Sequence, residues 1–416
     1  MSEFYKNRAT CRLCDSKRVE IVVPMEPIPL ATPNVGESDA LTQAKRQGFT
    51  VPMDLYLCHD CGHVQILQVI SPEVQYLSFR YTTSISLGLP EHFVRMADEI
   101  SAPAGLKNGD LVVEVGSNDG TLLRPFQLKG MRVLGIDPAQ AIANNATKNG
   151  VPTLARFFTA ALGREIEAEY GKARLVISNN TMANLDDLSD MIAGITAVMA
   201  EDGLFVFETS YGADVVRNTL LDTVYHEHLS YFMVRPLQTF FAANGMELVD
   251  VQRIWTKGGS IRGFVRFAGK GRPSAAVADL VAAELKDGLD KREPYDRFTA
   301  NVRNIRTQLA AVVAAEHAAG RRVAGYGASV GTITLLHQLG LTQSLDFIAD
   351  DTPLGAAVEG PGYRIPIVSP QRLIVDKPGV VVVLAWRYAD PIVAKNEAYR
   401  AQGGRFVIPL PTLSER

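Results

Sequence analysis

The stretch Tyr225-His-Glu-His-Leu-Ser-Tyr231 carries two imidazoles, a carboxylate and two phenols within seven residues. An imidazole titrates near neutral pH and a neighbouring carboxylate or phenol can orient it, so this composition favours a general base. A metal site and a structural polar cluster are the competing interpretations. In an extended strand His226 and His228 would share one face and Glu227 would lie on the other, whereas a turn or a helix would change that relation. The sequence does not decide which histidine reaches a substrate.

The elements that must position such a base begin at Leu111-Val-Val-Glu-Val-Gly-Ser-Asn-Asp-Gly-Thr-Leu-Leu123. A β-branched run followed by glycines predicts a buried strand, a turn and the start of a helix. We expect Gly116 to allow the turn and Gly120 to allow the backbone to approach a ligand. A second strand, Val133–Ile136, ends at Asp137, a carboxylate placed to bind both hydroxyls of a ribose. The layout predicts a nucleoside-binding α/β unit.

Further strands and helices alternate along the next part of the sequence. A strand that ends at Ser178 leads into Asn179 and Asn180, at the edge where open α/β sheets bind ligands. A helix over 187–200 and a strand over 204–208 come next. Strict β-α repetition predicts a parallel sheet with helices on both faces.

The four cysteines of the chain form two C-x-x-C pairs, Cys11 with Cys14 and Cys58 with Cys61. Two such turns can close a tetrahedron of thiolates around Zn²⁺, and no cysteine is left over. Four thiolates leave no open coordination position. We therefore predict a structural zinc site without a catalytic role.

The segment before the nucleoside-binding unit has two interpretations. Phe79-Arg-Tyr81-Thr-Thr-Ser-Ile-Ser86 is aromatic and rich in hydroxyls, so it could cover a ligand, or it could be an ordinary linker. A helix with Pro at its first turn is predicted over Pro90–Ile100.

The last part of the chain predicts a second α/β unit. We expect helices over 274–319 and strands at 322–325, 344–349 and 379–385. The loop Gly325-Tyr-Gly-Ala-Ser-Val-Gly331 has backbone N–H groups that could hold a phosphate, although a lone glycine loop is a weak signal. Arg387 and Tyr388, after the last strand, are candidates for a nucleotide diphosphate. A purely scaffolding unit is the alternative.

Bulk properties narrow the class of protein. The chain has 416 residues, 47% of them hydrophobic, and a net charge of −3, which gives no sign of a nucleic-acid or anionic-membrane partner. No apolar run reaches the roughly 20 residues of a membrane helix, and no signal peptide is evident at the N-terminus, so we expect a cytoplasmic protein. We expect a zinc module over 1–75, a cofactor domain over 76–270 and a C-terminal domain over 271–416. The expected state is a monomer or a small homo-oligomer.

The order of these pieces resembles a family of S-adenosylmethionine (SAM) dependent C-methyltransferases that act on nucleotide-linked deoxysugars. Motifs that carry the resemblance are the paired C-x-x-C module, Glu114-x-Gly116-x-Asn118-x-Gly120, Tyr225-His-Glu-His228, Lys257-Gly-Gly-Ser-Ile-Arg262 and Gly325-Tyr-Gly-Ala-Ser329. Within this family the chain resembles the sugar 3-C-methyltransferases of tetronitrose biosynthesis, and the resemblance covers essentially the whole chain. It implies a zinc module, a central Rossmann-like SAM domain and a second Rossmann-like domain.

The resemblance also implies a reaction, methyl transfer to C3 of a dTDP-linked 4-keto-deoxysugar that carries a 3-amino group. His228, or less readily His226, would remove the C3 proton, Tyr225 would donate to the C4 oxygen, and Glu227 would orient or polarise the site. Cofactor-binding residues would be Glu114, Gly116, Asn118, Gly120, Asp137, Asn179 and Asn180. Substrate-binding residues would be Tyr81, Lys257, Arg262, Tyr326, Ser329, Arg387 and Tyr388.

Two positions depart from the family pattern. In the family that the chain resembles, the loop before the core usually has Tyr-x-Tyr where this chain has Phe79-Arg-Tyr81. The loop after the fourth strand often has His where this chain has Asn184. Both replacements remove a hydroxyl or an ionisable ring at nearly constant shape. They predict that positions 79 and 184 belong to the active site, in a weakened or engineered enzyme or in one that diverged naturally.

Two other functions compete with this interpretation. An N- or O-methyltransferase on a related nucleotide sugar would need no acidic carbon. A zinc adaptor for nucleic acid or protein would need no cofactor, but the mild acidity and the lack of a basic stripe count against nucleic acid.

Overall fold

The structure is a computed structural model that describes residues 4–29, 48–86, 88–352 and 356–416. Within these ranges the strands form two seven-stranded sheets, one four-stranded sheet and two two-stranded pairs.

The N-terminal part is built from short strands around the two C-x-x-C turns. Its elements are β1 (Tyr5–Asn7), β2 (Val19–Val23), β3 (Ile28–Pro29), β4 (Thr50–Val51), β5 (Leu55–Cys58), β6 (Val64–Gln65), β7 (Gln68–Ile70) and α1 (Pro72–Tyr76). Strand β1 pairs with β7, and β3 pairs with β4, both antiparallel.

The central part alternates strands and helices. Its first half contains α2 (Leu89–Ser101), β8 (Leu111–Val115), α3 (Leu123–Leu128), β9 (Arg132–Ile136), α4 (Gln140–Lys148), β10 (Thr153–Leu154), α5 (Ala160–Tyr170) and β11 (Ala173–Asn179). Its second half contains α6 (Leu188–Val198), β12 (Met199–Ser210), α7 (Gly212–Arg217), β13 (Ser230–Tyr231), α8 (Val234–Ala243), β14 (Met246–Ile254) and β15 (Ser260–Phe267). The predicted strands at 111–115 and 133–136 and the helix at 90–100 are confirmed.

The central sheet has the order β10-β9-β8-β11-β12-β15-β14. Strands β8 to β12 are parallel, but β15 runs antiparallel to both of its neighbours. The prediction of an all-parallel sheet is therefore wrong at this edge. Only a single turn of 3₁₀ helix, Thr256–Gly258, separates β14 from β15, and so short a connection can join only antiparallel strands.

Burial explains why these segments form their elements. All five residues of β8 are buried, as expected for a strand covered by helices on both faces of a sheet. Helix α2 buries Phe93, Met96, Ala97 and Ile100 on one stripe. The sheet therefore holds the carboxyl ends of β8, β9 and β11 in fixed positions beside one another.

The C-terminal part is a second α/β unit, as predicted. Its elements are α9 (Ala275–Lys286), α10 (Glu293–Ala318), β16 (Val323–Tyr326), α11 (Thr332–Gln338), β17 (Phe347–Ala349), β18 (Ala357–Gly360), β19 (Tyr363–Val368), α12 (Gln371–Asp376), β20 (Val380–Val383), α13 (Ala389–Lys395), α14 (Glu397–Arg400), β21 (Arg405–Ile408) and β22 (Ser414–Glu415). The sheet order is β18-β19-β17-β16-β20-β21-β22, with antiparallel strands at both edges.

Strand β13 belongs to the N-terminal sheet although it follows the central sheet's β12 in sequence. It pairs antiparallel with β6, in the register Ser230 with Gln65 and Tyr231 with Val64. The four-stranded sheet then has the order β13-β6-β5-β2. The residues just before β13 are those of the His-Glu-His stretch, so the zinc-binding part lies directly against them.

No helix in the described ranges is long and apolar enough to cross a membrane.

Candidate active site

One cavity of about 680 Å³ lies at the carboxyl ends of the central strands. Its wall contains most of the residues that the sequence predicted for the site, namely Phe79, Tyr81, Glu114, Gly116, Asn118, Asp137, Asn179, Asn180, Asn184, Tyr225, Glu227, His228 and Lys257. Cofactor and catalytic candidates therefore face a single space.

The glycine loop forms one end of this cavity. Gly116 has φ +77°, and a Cβ there would collide with the Thr181 side chain, so only glycine fits. Burial raises the pKa of Glu114 well above its usual value, and the charges of Asp119 and Asp137 add to that. Glu114 Oε2 has no hydrogen-bond partner among the described residues. A cationic amine at this wall would favour the ionised form of the buried carboxyl group, so Glu114 fits such a ligand.

Asp137 lies at the end of β9, where the sequence placed it. Its Oδ2 accepts from the Asn118 backbone N–H and its Oδ1 from the Ala139 N–H, both at 2.9 Å. Burial raises the pKa of Asp137, and these two N–H groups partly offset the rise. Each oxygen can accept a further bond, so the carboxylate is held rigidly where a ribose diol would bind.

The side chains of Asn118 and Asp119 hold the preceding loop in place. Asn118 Oδ1 accepts from the Thr83 N–H at 2.8 Å, and its Nδ2 donates to the Tyr81 carbonyl at 3.0 Å. Asp119 Oδ2 accepts from the Ser84 N–H at 3.0 Å. The loop over 79–86 thus contacts the cavity and is more than a linker. Asn118 contributes its side chain to this loop and its backbone to Asp137.

Gly120 has a different role from the one predicted. It lies outside the cavity wall, with φ +78°, and a Cβ there would come within 2.8 Å of Val151. The close neighbour is the protein's own side chain rather than a ligand. The expectation that Gly120 lets the backbone approach a ligand is corrected accordingly.

The loop after β11 forms another part of the cavity wall. Asn179 donates from Nδ2 to Met96 Sδ, while its Oδ1 has no partner within the described ranges. Asn180 has φ +54° and donates its N–H to the Glu208 carbonyl. Asn184 also lies on the wall, with its Oδ1 unpaired in the described part of the chain.

The sequence missed part of the wall. After β10 the cavity is lined by Arg156, Phe157, Phe158 and Thr159, and the N-terminal part contributes Lys6, Pro72, Glu73 and Tyr76. The first group stands at the carboxyl end of a parallel strand, a position that could have identified it. The second group gave no local signal, because only the tertiary fold brings it to the cavity.

The His-Glu-His stretch is a turn, so the extended arrangement does not apply. The His228 N–H donates to the Tyr225 carbonyl at 2.9 Å, and the two rings lie with their centroids 4.1 Å apart and their planes tilted by 34°. Nδ1 of His228 lies 2.9 Å from the Thr223 carbonyl, which can only accept, so this nitrogen carries the proton. Nε2 then accepts from the Tyr225 hydroxyl at 2.7 Å. Burial lowers the pKa of His228 to about 3, which keeps the ring neutral.

His226 points away from this pair. It is 2% exposed, lies outside the cavity wall and interacts with the backbone of Val51. Burial lowers its pKa to about 4. Of the two histidines, His228 faces the cavity.

Glu227 and Lys257 are ionisable groups on the same cavity wall as the pair, and of the two Glu227 is buried. Burial raises the pKa of Glu227 to about 7, offset in part by the positive charge of Lys257. Partial desolvation in the cavity lowers the pKa of Lys257 to about 8, offset in part by Glu227. Glu227 Oε1 lacks a partner in the described structure. The two groups influence each other across the cavity, and the structure records no direct ion pair between them among the described residues.

Three parts of the molecule hold this turn. The Ile66 N–H of the N-terminal part donates to the Leu229 carbonyl at 3.0 Å. The Leu229 N–H donates to the Ala183 carbonyl at 2.7 Å. Thr334 Oγ1 of the C-terminal part donates to the Val224 carbonyl at 2.6 Å.

Five predicted substrate-binding residues lie outside the cavity wall. Arg262 is fully buried and pairs with Glu208 and Glu99, each at 2.7 Å. Arg387 pairs through both terminal nitrogens with Asp222, at 2.6 and 3.0 Å. Both guanidinium groups therefore already have carboxylate partners.

The second glycine loop is also occupied by the protein itself. Tyr326 donates its hydroxyl to Asp351 at 2.9 Å. The Ala328 N–H donates to Asp350 at 2.7 Å, and the Ser329 N–H donates to Thr332 at 2.9 Å. A carboxylate stands where a phosphate was expected. Tyr388 is 53% exposed, beyond the cavity.

The four cysteine sulfurs meet in one cluster. All lie within 4.8 Å of one another, and the Cys11–Cys61 and Cys14–Cys58 sulfurs are each 3.6 Å apart. Sulfurs bound to one Zn²⁺ at about 2.3 Å are about 3.8 Å apart in a tetrahedron. The four sulfurs thus fit a structural zinc ion.

Comparison with known proteins identifies the family. Family models match a zinc binding domain over residues 11–76, a methyltransferase domain over 91–251 and a C-methyltransferase C-terminal domain over 255–411. The chain is 36% identical over 406 residues to the C-methyltransferase NovU of Streptomyces niveus, which covers 96% of this chain and 95% of that protein. The chain belongs to the SAM-dependent C-methyltransferase family.

Two solved methyltransferase structures show low similarity to this chain. Magnesium protoporphyrin IX methyltransferase of Synechocystis PCC 6803 is 17% identical, covers 42% of this chain and 83% of its own, and has a TM-score of 0.34. CcbJ of Streptomyces caelestis is 15% identical, covers 42% and 90%, and also has a TM-score of 0.34.

This C-methyltransferase uses SAM and zinc. A bound SAM would donate hydrogen bonds to three polar groups of the cavity. They are the oxygens of Glu114 and Asn179, which are unpaired among the described residues, and the carboxylate of Asp137. Cys11, Cys14, Cys58 and Cys61 would hold the zinc.

Proposed function

We propose that this C-methyltransferase methylates C3 of a dTDP-linked 4-keto-deoxysugar, with or without a 3-amino group, in deoxysugar or antibiotic biosynthesis. The observation that carries the proposal is the Tyr225–His228 pair, a neutral imidazole and a phenol on one cavity wall beside the predicted cofactor site. A C–H beside a ketone is acidic enough for such a base. Methylation at N or O would need no acidic C–H.

His228 Nε2 is the proposed base. Its ring is held by the Thr223 carbonyl in the tautomer that leaves Nε2 free of a proton. The lowered pKa keeps Nε2 available throughout the neutral range. It also makes His228 a weak base in the resting state, so the enolate needs stabilisation as it forms.

Tyr225 is the proposed source of that stabilisation. In the resting arrangement its hydroxyl donates to His228 Nε2. A ketone oxygen at C4 would compete for the same proton. If the hydroxyl turns to the ketone, it polarises C4 and releases Nε2 for the C3 proton in the same movement. The C3 carbanion formed in this way receives the methyl group that bound SAM supplies.

Glu227 and Lys257 are proposed to bind the sugar on the remaining sides. Glu227 Oε1, buried and without a partner among the described residues, fits an amino or hydroxyl group. Lys257 fits an oxygen of the sugar or its phosphate. Tyr81 would contact the substrate from the loop above. The five residues outside the wall would act through neighbours that line the cavity.

Hydrogen exchange at C3 tests the proposal. The enzyme, with S-adenosylhomocysteine in place of SAM, is incubated with the dTDP-4-keto sugar in D₂O, and deuterium at C3 is followed by NMR and mass spectrometry. We expect exchange at C3 and, with SAM, a new C–C bond. No exchange together with methylation at N or O would overturn the proposal and favour the alternative N- or O-methyltransferase.

A further inference from the structure

We propose that Arg12, which lies between two zinc ligands, is a positioning residue that sets the base-bearing turn against the loop that carries Asn184. This inference rests on the proposed function for the identity of the base. The contacts that define it hold for any methyl acceptor in the same cavity.

The Arg12 guanidinium is buried at the junction of three segments. Its Nη1 donates to the Leu229 carbonyl at 3.0 Å and its Nη2 to the Ile66 carbonyl at 3.0 Å. Its Nε donates to Asp186 Oδ1 at 3.3 Å, and Nη1 also reaches Gln65 Oε1 at 3.1 Å. The side chain is 0% exposed.

Two of these partners belong to the active-site walls. Leu229 directly follows His228 in sequence, and its N–H donates to the Ala183 carbonyl. Asp186 lines the cavity, two residues beyond Asn184. One planar group therefore bonds both segments, and a displacement of Arg12 would shift one relative to the other.

The chemistry of the side chain suits this role. The Asp186 carboxylate, which accepts from Nε at 3.3 Å, supplies a counter-charge for the buried guanidinium. A guanidinium presents donors in a rigid plane, so it can bond two carbonyls and a carboxylate at fixed angles. A lysine ammonium is a point charge on a flexible stem and could not hold all three.

The metal site fixes the other end of this contact. Cys11 and Cys14 flank Arg12 within one C-x-x-C turn, and a bound zinc ion would fix the backbone of that turn. The closed metal site would then act on the reaction only through geometry, by holding the Arg12 side chain in register with Leu229 and Asp186.

The test compares Arg12→Ala and Arg12→Lys with Arg18→Ala in the full-length protein. Arg18 lies on the same module, but it is 70% exposed and pairs only with Asp60 among charged groups in the described structure. Zinc content, the Kd of SAM, kcat and hydrogen–deuterium exchange over residues 223–232 are measured for each.

We expect both Arg12 variants to keep zinc and to bind SAM within about twofold, because the glycine loop is untouched. We expect kcat to fall on the order of 100-fold in Arg12→Ala, as for a misplaced reacting group. Residues 223–232 should exchange faster, and millimolar guanidinium should restore part of kcat in Arg12→Ala. Arg18→Ala should match the wild type in all four measurements.

Unchanged kcat and unchanged exchange in zinc-loaded Arg12→Ala would overturn the inference. If Arg12→Ala loses its zinc, the inference is tested with Arg12→Lys and Asp186→Asn instead. Hydrogen–deuterium exchange over residues 223–232 at the wild-type rate in both of these variants would also overturn the inference. Failure of the proposed function would be seen separately, in the wild type, as methylation of a different atom.

Discussion

The Tyr225 hydroxyl lies 2.7 Å from Nε2 of His228, and Nδ1 of the same ring lies 2.9 Å from the Thr223 carbonyl. Both nitrogens are therefore engaged, one as donor and one as acceptor. The phenol proton has one partner in the resting enzyme, and a ketone that enters the cavity would compete with Nε2 for that proton. The following predictions depend on this arrangement and on the charges around it.

Replacing the base should remove proton abstraction. We expect His228→Asn to lower kcat and the rate of C3 deuterium exchange by about 10²- to 10⁴-fold, the usual contribution of a positioned base. SAM binding, measured by calorimetry, should be unchanged. His226→Asn serves as the matched control, because that ring lies outside the cavity wall, and it should keep kcat at temperatures where it stays folded. Full activity in His228→Asn would exclude this residue as the base.

Removing the phenol hydroxyl of Tyr225 should slow the formation of the enolate and leave cofactor binding unchanged. We expect Tyr225→Phe to lower kcat by about 10²- to 10³-fold, as for the loss of one donor to an oxyanion. The Kd of SAM should stay at the wild-type value. A kcat within twofold of the wild type would show that another group stabilises the C4 oxygen.

The pH dependence of kcat/KM should reflect the ionisation of Glu227 and Lys257. Glu227 ionises above about pH 7, and Lys257 is charged below about pH 8. If the ionised carboxylate and the charged amine are required, kcat/KM rises with pH through about 7 and falls above about 8. His228, with a pKa near 3, should add no inflection around neutral pH. Glu227→Gln should abolish the acid limb, and retention of that limb in the variant would assign it elsewhere.

Restoring the family residues should raise activity. Phe79 and Asn184 both line the cavity, and Asn184 lies beside Tyr76, whose phenol pKa is raised well above its usual value by burial. We expect Phe79→Tyr and Asn184→His each to increase kcat, by supplying a hydroxyl or an imidazole to the same space. Steady-state kinetics on both variants checks this. Unchanged rates in both would mean that these positions diverged without consequence.

The buried cation of β15 should matter for stability. Arg262 pairs with Glu208, whose other oxygen lies 2.8 Å from His92 Nε2. Arg262→Met would leave the Glu208 carboxylate buried without its cation, so we expect a loss of about 3–5 kcal/mol in the free energy of unfolding. Urea denaturation measures it. Arg266→Met, on the same strand but bonded to backbone carbonyls near the surface, should cost much less.

The glycine loop and Asp137 were predictable because their signals are local. A buried β-branched run, a glycine turn and an acid at the end of the next strand follow one another over 27 residues, from Leu111 to Asp137, and parallel pairing brings both strand ends to the same edge. The zinc ligands were predictable for a similar reason, since the C-x-x-C spacing itself reflects the geometry of the metal.

Contacts between distant segments were not predictable in this way. Arg387 looked like a phosphate ligand from its place after β20, but its partner Asp222 is 165 residues away. Gly120 looked like a ligand contact, yet Val151 occupies the space that a Cβ would need. The turn at Tyr225–His228 likewise depends on the Thr223, Ala183 and Ile66 backbones, whose proximity the linear sequence does not encode in any local pattern.

The antiparallel pairing of β13 with β6 has a consequence for protein engineering. Ser230 and Tyr231 complete a sheet whose other strands all come from the first 65 residues. A shortened protein that begins after residue 76 would retain the SAM cradle but would leave this two-residue segment as an unpaired edge, exposed to aggregation. Chimeras that exchange catalytic cores between relatives should therefore carry the N-terminal sheet along with the core.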